Sequence, residues 1–407
     1  MSEDRKKKGN AEEFDIFILS TTFPQASTLF NIRLPSVENI KNNAIVVLDT
    51  NTLLVPYNTG KDSLLQIGNT YRSLVAEGHL RIPGQVAREF AKNRANKITE
   101  IHQQFSRKVS GLNPLQKGRY PLLDSLKEYK EVLEFEENID DLYKQYKEAV
   151  QKVLVKIRGW NWNDPVSELY GGIFAEEIII DPRFDREELK AELNRRQVHK
   201  IPPGYKDSSK DDSGIGDLMI WFTILDIGKT MQSNIIFVSG DEKADWQYRS
   251  ENKALYPRFE LAEEFWRISG GKSFHMVSFS MFLDLFGANA STIKEVAREE
   301  AKLNKQYQLS AMFIQRWQYL TSQIEGAYCS NIPQEQIPRK PTLSLMLDAL
   351  LREQIIFIPF VNQLREMSDF RNSLVHHNIL VSEERLEAEI STLEALIEEF
   401  NGFIGSE

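Results

Sequence analysis

Four acidic side chains have the type and spacing to do chemistry: Asp49, Glu89, Asp217 and Asp241. Carboxylates are hard oxygen donors, and with no His or Cys cluster in the chain they point to Mg²⁺ or Mn²⁺ rather than zinc. Such an ion keeps several waters, one of which can attack a phosphate while the ion steadies the developing charge. The set suggests a metal-dependent nuclease. The elements that must position these acids are legible around each of them. Ile45-Val46-Val47-Leu48 is an unbroken apolar run that reads as a strand buried on both faces, with Asp49 at its carboxyl end. Ile235-Ile236-Phe237-Val238 repeats the pattern and leads through Ser239-Gly240 to Asp241. In open α/β sheets ligands bind at that edge. Arg81-Ile82-Pro83 reads as a short strand entering a helix that carries Val86, Glu89 and Phe90. Asp217 opens a second helix, dense in large apolar residues and so deeply buried. Any one of these acids is ordinary as a helix cap or strand end; the set is what points to a site.

The set resembles the PIN-like nucleases, in particular the bacterial PIN-like subgroup with a large helical insertion. The matching segments are Val47 to Asn51, Ile82 to Phe90, Pro202 to Asp207, Gly216 to Trp221 and Phe237 to Trp246, covering about residues 40 to 290. The resemblance implies a parallel sheet flanked by helices, acidic residues holding Mg²⁺ or Mn²⁺, and hydrolysis of phosphodiester bonds, usually in RNA. On it, Asp49 and Asp241 are the most direct ligands, Glu89 and Asp217 are ligands or water-orienting groups, and Asp245 is a fifth candidate. Asn51 either shapes the strand-end loop on the substrate side or is a plain turn residue. Lys206 is expected to contact substrate phosphate, whereas Lys210 reads as part of a solvated loop. Arg88, Lys92, Arg94 and Lys97 follow one another on one helix and form either a local basic surface for nucleic acid or a solvated face.

A chain of 407 residues with 41% apolar content can bury two or more cores. The expected division is an N-terminal extension over 1–40, a PIN-like α/β domain over 41–290 with a helical insertion at about 100–200, and an all-α domain over 291–407. Within the insertion, Leu122, Leu126, Tyr129, Val132 and Leu133, then Leu142, Tyr146, Val150 and Val153, recur at helical intervals. Trp160 and Trp162 either stack on unpaired bases or pack this cap onto the core. A net charge of −9 argues against a broad nonspecific grip on nucleic acid, although acidic metal sites inflate that count. The single cysteine, Cys329, fits a reducing cytoplasm, and no apolar run approaches the ~20 residues of a membrane helix. A soluble, cytoplasmic protein is expected.

A second signal lies near the C terminus, in Asp369-Phe370-Arg371-Asn372-Ser373-Leu374-Val375-His376-His377. This segment resembles the Arg-x4-6-His signature of the HEPN ribonucleases, including the Asn after the Arg. The resemblance spans roughly residues 295 to 404, with about six diagnostic residues, and implies a small helical bundle that dimerises and cleaves RNA without metal. Asn372 and His376 share a helix face, whereas Arg371 and His376 stand about 140° apart, so Arg371 must reach around or act in the partner chain. Arg suits the charge of the scissile phosphate and His suits proton transfer near neutral pH. The alternative is an Arg and a His placed near a helix end by its dipole. Ser382 is the expected N-cap of a last helix whose stripe of Leu386, Ile390, Leu393, Ile397 and Phe400 is core or in part a dimer face. Taken together, the expectation is two RNA-cutting sites in one homodimeric chain, as in a toxic effector of bacterial antiviral defence or stress response, restrained by a regulatory partner. The rival expectations are a PIN-like nuclease whose bundle serves only dimerisation or partner binding, and a DNA substrate.

Overall fold

The computed structural model describes residues 15–110, 118–205, 214–240, 245–250, 253–333, 337–338, 341–376 and 381–404. Two short helices, α1 (Ile18–Thr22) and α2 (Val37–Ile40), lead into β1 (Ile45–Leu48), all of whose residues are buried. After α3 (Thr50–Leu54) and α4 (Lys61–Ala76), β2 (Leu80–Pro83) runs straight into the long α5 (Gly84–Ser110). The next helix, α6 (Lys127–Arg158), packs back on α5, and α7 (Pro165–Gly171) returns the chain to a two-residue strand, β3 (Ile179–Ile180). α8 (Arg186–His199) and α9 (Ile215–Met231) precede β4 (Ile235–Val238). A hairpin of β5 (Gln247–Ser250) and β6 (Lys253–Pro257), then α10 (Phe259–Ile268), β7 (Phe274–Val277) and α11 (Phe279–Leu285), complete this unit.

The sheet has five parallel strands in the order β3-β2-β1-β4-β7, and the sequence expectation of a parallel α/β domain holds. Val46 stands opposite Ile236, and Ile236 opposite His275. Helices on both faces explain why β1 and β4 are apolar without alternation. Trp221 of α9 is fully buried, its ring edge-on to Phe274 at 5.0 Å and to Trp246 at 5.9 Å. The β5–β6 hairpin, β3, α8 and α10 had no counterpart in the sequence expectation. Gln247-Tyr248-Arg249-Ser250 carries no apolar alternation, and two residues are too few for a periodic signal.

The remainder of the chain is helical, as expected, and begins with α12 (Ala290–Asn331), 42 residues long. α13 (Leu343–Arg352), α14 (Ile358–His376) and α15 (Glu383–Ile404) pack on its second half around Phe313, Leu320, Ile324, Phe360, Leu364 and Phe400. Leu386, Ile390, Leu393 and Phe400 of the α15 stripe are buried in that core, and Ile397 is packed against it. The first half of α12 belongs elsewhere: Val296 lies in the core of the sheet domain. Glu300 lies there too, accepting hydrogen bonds from the amides of Phe279 at 2.6 Å and Ser280 at 3.1 Å, and so caps α11. The expected division at residue 290 thus falls at the first turn of a helix shared by both cores. Among the described residues no helix is long and apolar enough to cross a membrane.

Candidate active site

β1 is followed at once by Asp49, whose backbone amide still pairs with the Val238 carbonyl of β4 at 3.0 Å before the chain turns into α3. Asp49 is the N-cap of α3, its Oδ1 accepting from the Thr50 amide at 2.7 Å. Its Oδ2 accepts from the Ser239 hydroxyl, just past the end of β4, at 2.7 Å. Thr50 in turn donates its hydroxyl to Glu89 Oε2 at 2.6 Å, and Gln85 Nε2 donates to Glu89 Oε1 at 2.9 Å. These bonds orient the two acids at the sheet edge. The buried Asp49 and half-buried Glu89 are thereby joined through a single threonine at the carboxyl edge of the sheet.

Topology brings Asp217 to the same edge. α9 ends just before β4 begins, so its C terminus is at the amino edge, and it packs along β2 and α5. Its first turn, which holds half-buried Asp217, therefore lies at the carboxyl edge. Asp241, Lys206 and Lys210 lie outside the described residues. Among the described residues, no group of three or more His, Cys, Asp or Glu side chains is placed to hold a metal ion. The donor chemistry nevertheless fits a hard divalent cation, since Asp49, Glu89 and Asp217 all offer oxygen. Asp245 is buried, 1% exposed, and its Oδ2 accepts from the Gly204 amide at 2.9 Å. It thereby fixes the segment that leads to Lys206. Gly204 has φ +91°, and a Cβ there would stand 3.0 Å from the Gly214 carbonyl oxygen, so glycine is required where the backbone at 204 meets that at 214.

Of the expected basic surface, two members are something else. Arg94 is 7% exposed and forks onto Asp164, with Nε at 2.9 Å and Nη2 at 2.6 Å, while Nε also reaches Ser167 Oγ at 2.7 Å. Lys97, also 7% exposed, pairs with Glu100 at 3.0 Å. Arg94 is covered by Asp164 and Ser167 of the chain returning from α6, and Lys97 lines a cavity with Tyr57, Thr59 and Leu303, which is why spacing alone misread both as surface. Arg88 is exposed and its guanidinium forks onto Asp181. Gly84 makes room for that carboxylate, because a Cβ there would lie 2.3 Å from Asp181 Oδ1. Trp162 lies over the Arg94 guanidinium at 4.5 Å, consistent with packing of the insertion onto the core. Asn51 is half-buried in the first turn of α3.

The junctions of the insertion set a pH dependence. Burial would raise the Asp164 carboxyl, but hydrogen bonds from Ser167 and Arg94 outweigh it and hold the group below the usual aspartate range. At Glu192, which binds Arg195 and the buried Arg196, burial is likewise outweighed and the carboxyl is lowered. Both groups bind protons more weakly in the folded than in the unfolded chain. Their stabilisation is complete above the unfolded carboxylate range near about pH 4 and is lost as pH falls through the lowered folded values. The urea midpoint should therefore fall on acidification below about pH 4, and less steeply in Asp164→Asn than in the parent.

In the C-terminal bundle, Arg371 lies in the last two turns of α14 and donates from Nη1 to Asn372 Oδ1 at 3.0 Å. Its Nε is buried with no partner among the described residues. His376 is the final residue of α14, its side chain and His377 being outside what is described. Sequence reasoning assigned no role to Thr50, Gln85 or Ser239. The signal was present in part: a hydroxyl residue stands within two positions of the end of each apolar strand, at Thr50 and Ser239.

The described residues thus form a parallel α/β domain with Asp49, Glu89 and Asp217 at its carboxyl edge, and comparison by sequence says which family it belongs to. The PIN like domain family matches residues 45–261, more than half of the 407 residues, and the chain belongs to it. PIN-like domains are generally nucleases and typically use divalent metals. No curated protein and no solved structure matches the chain.

Proposed function

We propose that this protein is a metal-dependent ribonuclease acting through Asp49, Glu89, Asp217 and Asp241, with a second, metal-free RNA-cutting site at Arg371, Asn372 and His376. The observation that carries the first part is the joining of Asp49 and Glu89 through Thr50 at the sheet edge. Asp49 and Asp241 would hold Mg²⁺ or Mn²⁺, with Glu89 and Asp217 as further ligands or water-orienting groups, and the ion when bound supplies an activated water and neutralises phosphate charge. Thr50, Ser239 and Gln85 fix the carboxylates in advance, so little reorganisation accompanies the reaction. Lys206 and Asn51 would face the substrate, and Arg88 joins them only by leaving Asp181. Asp245 acts by holding the Gly204 segment. Tyr256 is 59% exposed and its ring packs on Tyr248 at 5.4 Å, an aromatic surface on which an unpaired base can stack.

Two degradative sites in one chain suit a toxic effector of bacterial antiviral defence or stress response, cytoplasmic, dimeric through its C-terminal bundle and restrained by a regulatory partner. A second reading leaves the bundle as a dimerisation or partner-binding module, favoured by the engagement of Arg371 with Asn372. End-labelled single-stranded RNA, single-stranded DNA and branched DNA digested in parallel, with Mg²⁺, Mn²⁺ or chelator, separate these. RNA should be cut fastest with metal. The residue of cleavage that survives chelation should fall about 100-fold or more in Arg371→Ala, the scale of a lost proton-transfer or charge-stabilising group. If no cleavage survives chelation, the second reading stands. If DNA is cut and RNA is not, the ribonuclease assignment fails.

A further inference from the structure

Among the described residues, α6 carries an apolar stripe that nothing covers. Tyr129, Val150, Leu154 and Ile157 are buried, and α6 packs on α5. A different face holds Val132, Phe135, Ile139, Leu142, Tyr146 and Val153, which are 38–66% exposed although all are large and apolar. Their spacing is that of a coiled-coil seam: Val132, Ile139, Tyr146 and Val153 recur every seven residues, with Phe135, Leu142 and Ala149 three residues after the first three. Such a seam in water over three heptads is a large exposed patch that calls for a partner helix.

The charges on α6 say which partner. From Glu128 to Asp141 the helix carries seven acidic side chains against Lys130, and from Lys144 to Arg158 five basic ones against Glu148. A helix that is acidic in its first half and basic in its second complements itself when reversed. We propose that α6 pairs with α6 of a second copy of this chain as an antiparallel coiled coil. The register that fills the seam sets Ile139 against Leu142, Phe135 against Tyr146 and Val132 against Ala149 of the other copy. At the edge of the seam away from α5 it brings Glu131 beside Lys152, and Asn138 beside Gln145. A parallel pair would instead set the acidic halves together, with Glu131 facing Glu136, which like-charge repulsion opposes.

Sedimentation of the full chain over a micromolar concentration range tests this. The parent should associate through α6 in addition to any pairing of its C-terminal bundle, and Leu142→Glu should weaken this α6 dimer at least tenfold, lowering the sedimentation coefficient without altering the far-ultraviolet circular dichroism, since the side chain is exposed. Glu131→Lys and Lys152→Glu should each weaken the dimer, and the doubly exchanged chain should regain it at low salt. A parent whose state of association Leu142→Glu leaves unchanged, whether monomer, dimer or larger, overturns the proposal. So does a tightening of the dimer by Glu131→Lys, the response a parallel pair would give, or failure of the double exchange to restore association.

Discussion

Asp49→Asn is expected to abolish metal-dependent cleavage while leaving the fold intact. Asn has the same shape, and its carbonyl can still accept from the Thr50 amide that caps α3. Ser239, now facing an amide that donates, can turn its hydroxyl to accept. What is lost is the negative charge that binds a cation at the sheet edge. Stabilisation of transition-state charge by a bound ion is worth several kcal/mol, and each ~1.4 kcal/mol is tenfold in rate. A fall of about 100- to 1,000-fold in the Mg²⁺- or Mn²⁺-dependent rate follows, with a matching weakening of Mn²⁺ binding measured directly by calorimetry. The melting temperature without metal should change little, because Asn keeps the shape of the buried side chain and its hydrogen bonds with Thr50 and Ser239. Normal Mn²⁺-dependent cleavage by Asp49→Asn would falsify the assignment of this edge as the active site.

The largest loss of stability is expected from Arg94→Leu. Asp164 is fully buried and Arg94 nearly so, and both Nε and Nη2 of the guanidinium bind one carboxylate oxygen. Removing one member of such a pair strands a charge in the interior and costs about 3–5 kcal/mol. For a unit of this size that is a drop in melting temperature on the order of 10 °C. Replacing both by Arg94→Leu with Asp164→Leu should recover much of it, because the stranded charge is gone. Recovery should stop short of the parent by about 1 kcal/mol, because Asp164 also caps α7 through the Ser167 amide at 3.0 Å. Equal stability of the single and double variants, measured by urea titration, would show that the ion pair contributes nothing.

The two strands that matter most were legible because their residues are apolar on both faces and each is followed at once by polar turn residues. Ile45 to Leu48 and Ile235 to Val238 could be little else, and the emergence of Asp49 at the sheet edge followed from where the first run stops. Burial of Arg94 and Lys97 was not legible. Their spacing along α5 gives the helix face correctly, but what covers Arg94 is Asp164, 70 residues further on. The same limit hid Asp181, whose approach to α5 is permitted by Gly84 and is visible only once β2 and β3 are paired. Apolar residues on α6 were read as a helix, and rightly, but periodicity alone does not tell a buried stripe from one left in solvent.

α12 gives the molecule no joint at the point where a linker would be sought. A helix of 42 residues rises about 63 Å at ~1.5 Å per residue. Val296 and Glu300 anchor one end, and Phe313 to Tyr328 the other. The two cores therefore share one helix, with no loop at the expected boundary between them. Cutting the chain at residue 290 would strip the α11 cap from the first unit, so separate production of the halves calls for a break beyond Leu303. Heat should melt both together, since loosening either end frays the helix they have in common.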